Sequence, residues 1–376
     1  MRASTFHAYG PPDVLHLEDI TQPVPKADEL LVRVHATPVS FADLLVRNFP
    51  AVGPRQFHMP FLFWIVGRLA FGLGRPRVSV LGSEFSGVVE AVGADVRRFA
   101  PGDAVFGFSG PRMGADAEYL CLRESGFIAR KPTNMSHEEA ATVPYGAMLA
   151  LDLLERVDLR PGARILVNGA SGGIGPLVVQ IAKHRYRARV TGVCSTAKVE
   201  TLRALGADEV VDYTREDFVE RGGSYDVIVD ILGKSSFAHV RPVLAPGGRL
   251  VYVSFKEKQL LQMLATGLGR GPKVVCKLLD ERRENLELAR ELIEAGQIRA
   301  LVDRVFPLAQ AADAHRYAGQ CTERPGRPQR CGARRMLASP SCERSLARGA
   351  GRPCRRRQGL ASSGARAVPG GHPPAD

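Results

Sequence analysis

The stretch Asn168-Gly169-Ala170-Ser171-Gly172-Gly173-Ile174-Gly175 decides the fold of this chain. It stands between Arg164–Asn168, which is predicted to be a strand, and residues 174–183, whose apolar spacing predicts a helix. Glycines at such a junction make a tight turn, let a pyrophosphate approach the backbone and bring helix against strand. The free N–H groups at the helix N-terminus then favour the phosphates. These eight residues therefore predict a dinucleotide-binding site.

The end of the next predicted strand, Arg189–Cys194, indicates which dinucleotide binds. A site for NAD needs Asp or Glu about 20 residues beyond the glycines, to hold the ribose 2′-hydroxyl. This chain has Cys194 and Ser195 there, with Lys198 close behind. A hydroxyl and an ammonium group suit a 2′-phosphate, so NADPH is the predicted cofactor. The alternative is that Lys198 is only a solvated surface lysine.

Strands and helices alternate on the C-terminal side of the loop, which predicts an α/β fold with a doubly wound parallel sheet. The further strands are predicted at Glu209–Asp212, Tyr225–Asp230 and 249–254. Pro144 interrupts the helical pattern of residues 138–157 and should kink or split that helix. The first 125 residues show short alternating segments with Gly/Pro turns, which predicts a β-rich, barrel-like domain.

The net charge of +12 would favour an anionic partner, but it is unevenly distributed along the 376 residues. Residues 321–376 contain twelve Arg and three acids, a net of +9, and the first 320 residues carry only +3. With seven Pro, eight Gly and no aromatic residue, the last 56 residues are predicted to be a disordered basic tail. Arginines in residues 352–357 could contact phosphates non-specifically, so no specific nucleic acid is predicted as a partner.

Two apolar segments have more than one interpretation. Residues 61–73 form an apolar run with Arg68 in its middle, and a membrane span needs about 20 residues. The run therefore predicts no transmembrane span but a buried helix, one wall of an apolar substrate pocket or a shallow membrane contact. Residues 260–268 could form a second wall or a subunit contact. No signal peptide and no Cys-x-x-Cys pair is present, so we expect a cytoplasmic protein.

Several motifs beyond the glycine loop resemble the medium-chain dehydrogenase/reductase superfamily, in its zinc-independent quinone-oxidoreductase-like branch. The resemblance covers residues 1–318 and is specific because its motifs occur together and in order. They are Tyr9-Gly10-Pro11-Pro12-Asp13-Val14-Leu15, Gly82-Ser83-Glu84-Phe85-Ser86-Gly87-Val88-Val89, Phe99-Ala100-Pro101-Gly102-Asp103-Ala104-Val105, Glu139-Ala140-Ala141-Thr142-Val143-Pro144, and Leu205-Gly206-Ala207-Asp208 with Asp212-Tyr213.

The resemblance implies a GroES-like catalytic domain and a Rossmann domain, with the cofactor between them. We expect the GroES-like domain over residues 1–125, the Rossmann domain over 126–268 and a return to the catalytic domain over 269–320. Relatives end with a short strand that completes the catalytic domain, whereas this chain changes to Arg/Pro/Gly/Cys-rich sequence. We interpret the tail of 321–376 as the product of a reading-frame change near Gly319. Without a closing strand, the barrel would have an exposed edge.

The resemblance also implies the roles of individual residues. In relatives, the residues matching Lys198 and Tyr213 contact the 2′-phosphate end of NADPH, and Ser195 fits the same role. Zinc-dependent relatives have Cys and His where this chain has Ser40 and Ser83, so no metal site is expected.

The implied reaction is hydride transfer from NADPH to a quinone or an α,β-unsaturated carbonyl. The catalytic candidates are Ser40, Asp43 and Tyr145, although Tyr145 could also be an ordinary packing residue. Two residues depart from the branch: Ser40 replaces its Asn, and Leu149 replaces its Thr.

Together these features predict a zinc-free NADPH-dependent reductase acting on a small lipophilic electrophile. The resemblance alone implies that it is a homodimer. The alternative from another class is a catalytically weak NADPH-binding sensor or scaffold protein, which the changes at Ser40 and Leu149 favour. A short-chain dehydrogenase is disfavoured because its glycine loop lies near the N-terminus and no Tyr-x-x-x-Lys motif follows the loop here.

Overall fold

The computed structural model describes residues 1–276, 282–322 and 334–338. Their strands form two large sheets and one small one. Arg2–Thr5 (β1) and His16–Asp19 (β2) pair as an antiparallel ribbon. The N-terminal large sheet runs in the order β14-β15-β3-β4-β5-β7, with β6 also paired to β3. Its strands are Glu29–Val39 (β3), Glu84–Val92 (β4), Ala104–Phe108 (β5), Tyr119–Arg123 (β6), Phe127–Arg130 (β7), Val302–Pro307 (β14) and Arg334–Ala338 (β15).

The second large sheet is parallel and has the strand order β10-β9-β8-β11-β12-β13. Its strands are Arg164–Asn168 (β8), Arg189–Cys194 (β9), Glu209–Asp212 (β10), Tyr225–Asp230 (β11), Leu244–Tyr252 (β12) and Lys273–Cys276 (β13). This is the doubly wound order of dinucleotide-binding domains, whose topological switch point lies between β8 and β11. The predicted Rossmann sheet is therefore confirmed.

Helices connect and cover these sheets. The described ones are Phe41–Arg47 (α1), Phe61–Phe71 (α2), His137–Ala141 (α3), Pro144–Arg156 (α4), Gly175–His184 (α5), Val199–Ala204 (α6), Phe237–Val240 (α7), Glu257–Gly267 (α8), Glu284–Glu294 (α9) and Ala311–Thr322 (α10). The predicted break at Pro144 is observed as a split, because α3 ends at Ala141 and Pro144 begins α4 three residues later. None of the helices in the described part of the chain is long and apolar enough to cross a membrane.

The structure moves both expected domain boundaries. β7 pairs with β5, so the GroES-like sheet extends past residue 125. β13 pairs with β12, so the Rossmann sheet extends past residue 268. Helix α9 also belongs to the Rossmann side, since its buried leucines share a core cluster with α4 and α5. The boundaries were misplaced because strand pairing, which the sequence does not specify, decides to which sheet a short segment belongs.

The tail contains a strand that the sequence analysis did not predict. β15 lies between β14, with which it is parallel, and β3, with which it is antiparallel. The prediction of disorder was therefore wrong for residues 334–338, and the sheet does not lack a strand at that edge. Residues 323–333 and 339–376 lie outside the described part of the chain. The reading-frame change stays a hypothesis.

Leu337 on β15 gives a test of this pairing. It is buried against Val39 and Phe306 in the core of the catalytic domain. Replacing Leu337 with Ala is expected to lower the free energy of unfolding by about 2–4 kcal/mol, because it leaves a cavity in that core. Urea unfolding measures the change. The matched control is Val305→Ala on neighbouring β14, where the side chain is exposed and the cost should stay below about 1 kcal/mol. Equal costs for both variants would contradict the position of β15.

Candidate active site

The glycine loop joins β8 to α5 at the switch point of the parallel sheet. Gly169 has φ +86°, a conformation that favours glycine, and Gly175 packs against the start of the loop. A Cβ at Gly175 would lie 2.4 Å from the carbonyl oxygen of Gly169 and 2.5 Å from the carbonyl carbon of Ala170. A Cβ at Gly172 would meet nothing closer than 3.5 Å. The loop is thus tight where helix meets strand and open at Gly172, as a pyrophosphate cradle requires.

The first residue of the motif, Asn168, holds the loop to the neighbouring strand end. Its Nδ2 lies 3.0 Å from Ser235 Oγ and 3.4 Å from Asp230 Oδ1. The buried Asp230 carboxylate also accepts hydrogen bonds from the N–H groups of Leu232, Gly233 and Ser235. The Asn168 side chain therefore connects the ends of β8 and β11. Its predicted contact with the cofactor stays a prediction, as do those of Ala170, Ser171, Gly173 and Ile174.

The predicted ribose-binding residues lie together at the ends of β9 and β10. The Tyr213 N–H donates to the Cys194 carbonyl over 3.0 Å, and the Lys198 N–H donates to the Ser195 carbonyl over 2.9 Å. Ser195 is buried, and the Tyr213 side chain is exposed. Burial raises the pKa of the Cys194 thiol to about 11, so that thiol is protonated at neutral pH.

One acidic residue lies beside these predicted ribose-binding residues, but its carboxylate already accepts hydrogen bonds from neighbouring residues. Asp212 at the end of β10 accepts hydrogen bonds from Thr196 Oγ1 over 2.5 Å and from the backbone and hydroxyl of Thr214 over 3.0 and 2.7 Å. Arg215 Nε lies 3.5 Å from the same carboxylate. These contacts compete with any bond from Asp212 to a ribose 2′-hydroxyl.

Ser40 and Asp43 are brought together at the start of α1. Ser40 is the N-cap residue, and its backbone N–H and hydroxyl donate to Asp43 Oδ2 over 2.7 and 2.6 Å. The other carboxylate oxygen of Asp43 accepts from the Gly82 N–H over 3.0 Å. Asp43 is fully buried. The Ser-x-x-Asp spacing is that of a capping box, which explains why the two residues meet.

Tyr145 lies where the GroES-like domain leads into α4. Its N–H donates to the buried Glu84 Oε1 over 2.9 Å, and its ring lies 5.2 Å from the ring of Phe108. Leu149, one turn further along α4, is buried in the apolar core. The segment just before α4 faces the glycine loop across a small cavity, which is lined by residues that include Thr142, Val143, Gly172 and Gly173. The catalytic domain therefore approaches the glycine loop at this junction.

Two domain families match the chain in agreement with this geometry. The alcohol dehydrogenase GroES-like domain matches residues 26–151, and the family described as zinc-binding dehydrogenase matches residues 205–324. A 2-methylene-furan-3-one reductase of Solanum lycopersicum is 30% identical over 328 residues, which cover 84% of this chain and 76% of the relative. A quinone oxidoreductase of Pseudomonas aeruginosa is 31% identical, with 82% and 93% covered.

The chain belongs to the medium-chain dehydrogenase/reductase superfamily. Within it, the chain lies in the quinone-oxidoreductase-like branch. A solved structure of a quinone oxidoreductase from Coxiella burnetii superimposes with a TM-score of 0.74 at 25% identity, covering 90% of this chain and 99% of that one. The predicted superfamily, two-domain fold and oxidoreductase class are thereby confirmed.

The name of one matching family includes zinc, so we asked which side chains of this medium-chain reductase could bind a metal ion. In the described ranges, no group of three or more His, Cys, Asp or Glu side chains could hold a metal ion. At the two positions compared with zinc-dependent relatives, the side chains are the hydroxyls of Ser40 and Ser83. The Ser40 hydroxyl is bonded to Asp43. Hydroxyls are poor zinc ligands compared with thiolate and imidazole.

Sequence reasoning missed a buried polar cluster behind Ser40. Arg47 Nη1 donates to His315 Nδ1 over 2.8 Å, so the proton of the neutral imidazole is on Nε2. That Nε2 lies 4.0 Å from Asp116 Oδ2. Burial, with the positive charge of Arg47, lowers the pKa of His315 to about 3. Burial, with the negative charge of Asp43, raises the pKa of Asp116 well above its usual range. No local signal was available, because Arg47, Asp116 and His315 lie far apart in the chain.

A second feature of the catalytic domain is a stacked histidine pair. The rings of His35 and His137 lie 4.4 Å apart with an interplanar angle of 28°. The Ser86 hydroxyl donates to the Val105 carbonyl over 2.9 Å, so it accepts from His137 Nδ1 over 2.8 Å. Burial, together with the charge of a protonated His35, lowers the pKa of His137 to about 4.

The histidine pair makes stability depend on pH. The ordinary pKa of a histidine is 6.5, so above that pH His137 is neutral in both the folded and the unfolded chain. As the pH falls from 6.5 towards about 4, the unfolded chain binds a proton that folded His137 does not, and the free energy of unfolding decreases. Urea unfolding across this range should show a smaller decrease for His137→Asn. The exposed His16→Asn is the control. An unchanged pH profile for His137→Asn would contradict the assignment.

Proposed function

We propose that this protein is a zinc-independent, NADPH-dependent reductase of quinones or α,β-unsaturated carbonyl compounds. The observation that carries the proposal is the end of β9, where Ser195 and Lys198 follow the strand and hydrogen bonds engage both oxygens of the Asp212 carboxylate. The names of two relatives support it. One is the quinone oxidoreductase of Pseudomonas aeruginosa, and the other is an NADPH-dependent alkenal/one oxidoreductase of Arabidopsis thaliana, 31% identical with 84% of this chain covered.

The residues fit the cofactor along its length. The open backbone at Gly172 and the N-terminus of α5 would hold the pyrophosphate, and Ser195, Lys198 and Tyr213 would hold the 2′-phosphate. When bound, NADPH supplies a hydride for the electrophilic carbon of the substrate, and a proton completes the reduction. Ser40 is the hydroxyl proposed to polarise the substrate carbonyl, for which its one proton must leave Asp43 Oδ2 and turn to the substrate. Tyr145 is the second proposed donor.

A second candidate function is favoured by two observations. The hydroxyl of Ser40 is already bonded to Asp43, and Leu149, which has no hydrogen-bonding group, lies in the apolar core. Both reduce the number of donors that could act on a substrate. The corresponding function is that of a catalytically weak NADPH-binding sensor or scaffold. A homodimer and a cytoplasmic location stay predictions, and relatives include proteins named as mitochondrial and chloroplastic.

The test is NADPH oxidation by the purified full-length protein against quinones, enones and aldehydes, with and without a chelator. Turnover of a quinone or enone that the chelator leaves unchanged is the expected result. Turnover that the chelator abolishes would refute zinc independence. Tight NADPH binding without turnover of any of these electrophiles would favour the sensor or scaffold function instead.

Lys198 decides the preference between the two dinucleotides. Removing its ammonium in Lys198→Ala is expected to raise the Kd of NADPH about tenfold or more, because a charged hydrogen bond contributes about 1.5–3 kcal/mol. The Kd of NADH should stay the same, since NADH has no 2′-phosphate. Fluorescence titration with both dinucleotides measures the effect. Arg203→Ala is the matched control, because Arg203 is paired with Glu200 on the same helix. Equal loss of NADH and NADPH binding would refute the role of Lys198.

A further inference from the structure

Helix α2 exposes an apolar face to solvent. Leu62, Val66 and Leu69, followed by Leu73 just beyond the helix, have the spacing of one helical face, and each is more than half exposed. A surface helix normally has polar residues on this face. The outward face of α2 is therefore an apolar surface without a partner in the described chain.

The other side of α2 is held firmly by the protein. Trp64 Nε1 donates to the Val52 carbonyl over 2.8 Å. At Gly67 the helix approaches the Phe49 ring so closely that an added Cβ would lie 2.9 Å from it. Phe71 packs against the cluster that contains Phe6 and Leu81. These contacts fix which face of α2 is outward, so the exposure of its leucines follows from the fold.

Helix α8 has a second exposed apolar face. Leu261, Leu264 and Leu268 follow the same helical spacing and are 66%, 65% and 96% exposed. On its other side, Leu260 and Met263 pack against the Rossmann core. Two helices from different domains thus share the same unusual arrangement.

The N-termini of the two helices meet. The Phe61 N–H at the start of α2 donates to Glu257 Oε1 at the start of α8 over 2.5 Å. Lys256 Nζ donates to the Arg55 carbonyl over 2.5 Å. The segment before α2 also reaches the site, since His58 lies edge-on to the ring of Phe41, which follows Ser40. The starts of α2 and α8 are therefore joined to each other, and the segment before α2 contacts the residue that follows Ser40.

The charges around these helices are almost all positive. Residues 55–77 contain four arginines and no acid, and residues 256–273 contain four basic residues and one acid, Glu257. That acid is the one that binds the Phe61 N–H. The combination of exposed leucines and phenylalanine with a basic surround is typical of helices that lie in the interface of an anionic bilayer.

We propose that the outward faces of α2 and α8 form a docking surface for an anionic lipid bilayer. The leucines enter the boundary between headgroups and acyl chains, and the surrounding arginines and lysines contact the anionic headgroups. Charge complementarity selects the bilayer over a second copy of this chain, because two copies of so basic a surface would repel each other.

Co-sedimentation of the full-length protein with vesicles tests the proposal. Vesicles of phosphatidylcholine mixed with phosphatidylglycerol should sediment the protein, and phosphatidylcholine alone should sediment much less. The variant Leu62→Gln/Leu264→Gln keeps the charge and should bind the anionic vesicles about a hundredfold more weakly, from about tenfold for each leucine. The control Val24→Gln replaces an exposed valine far along the chain from α2 and α8 and should bind like the wild type. Thermal unfolding checks that all three are folded.

Three outcomes would overturn the proposal. Unchanged vesicle binding by the double variant would assign the binding to the basic residues 321–376, which it retains. No binding of the wild type to anionic vesicles would exclude the surface altogether. Sedimentation equilibrium that shows a wild-type dimer and a monomeric double variant, without vesicle binding, would make the surface an interface between copies. None of these measurements uses turnover, so they are independent of the proposed reductase activity.

Discussion

Replacing Gly175 with alanine is expected to abolish measurable NADPH binding and to lower the free energy of unfolding by about 3 kcal/mol. The new Cβ would lie 2.4 Å from the Gly169 carbonyl oxygen and 2.6 Å from Ala170 Cα. Both neighbours are backbone atoms, which cannot rotate away as a flexible side chain can. The helix must therefore move away from the strand, and the N–H groups that would face the pyrophosphate move with it.

The variant Gly172→Ala separates the loss of NADPH binding from the loss of stability. Its Cβ would meet only ordinary van der Waals contacts within the protein, so the free energy of unfolding should change by less than about 1 kcal/mol. The same methyl group would occupy the space proposed for the pyrophosphate, and the Kd of NADPH should rise about tenfold. Urea unfolding and fluorescence titration measure both quantities. Wild-type NADPH affinity in Gly175→Ala would refute the proposed cofactor site.

Replacing Asp43 with alanine is expected to lower the free energy of unfolding by about 3 kcal/mol and kcat/KM about a hundredfold. The buried carboxylate accepts hydrogen bonds from the Ser40 N–H, the Ser40 hydroxyl and the Gly82 N–H. Without it, those donors lose their partner and the N-cap of α1 is weakened. The Ser40 backbone also loses the bond that fixes it at the start of α1, so its hydroxyl is displaced from the position proposed for the substrate.

Two milder variants distinguish positioning from stability. Ser40→Ala removes the hydroxyl but leaves the Asp43 bonds to Gly82 and to the Ser40 backbone, so it should cost only about 1 kcal/mol of stability. If Ser40 polarises the substrate, kcat should still fall about tenfold or more at saturating NADPH. Asp43→Asn should lie between Asp43→Ala and the wild type. A destabilised Asp43→Ala with unchanged kcat would show that the pair only supports the fold.

Local spacing in the sequence predicted much of the Rossmann domain. Alternation and β-branched residues placed the strands at Arg164–Asn168, Arg189–Cys194 and Tyr225–Asp230 with the bounds that the structure shows. The residues between α5 and β9, Arg185-Tyr186-Arg187-Ala188, include no glycine, and this has a visible consequence. Arg187 adopts φ +53°, a left-handed conformation that costs a non-glycine residue about 1 kcal/mol.

The sequence predicted the parts of the candidate site that depend on neighbouring residues but not those that join distant residues. The glycine loop and the Ser40–Asp43 capping box are short-range patterns, in which the partners lie within a few residues of each other. The cluster of Asp116 and His315 joins residues far apart in the chain, and no local pattern connects them. The same limit explains why the bond between Glu84 and the Tyr145 N–H could not be foreseen.

The sequence by itself determined three features. The dinucleotide-binding fold follows from local periodicity, the break at Pro144 follows from the geometry of the proline ring, and the superfamily follows from motifs that occur in a fixed order. Only the tertiary structure decided that residues 334–338 form a strand and that the leucines of α2 point outward. The strand forms because β3 and β14 offer unpaired backbone groups on both sides of it. The orientation of α2 follows from its contacts with Phe49 and Val52, which lie outside the helix itself.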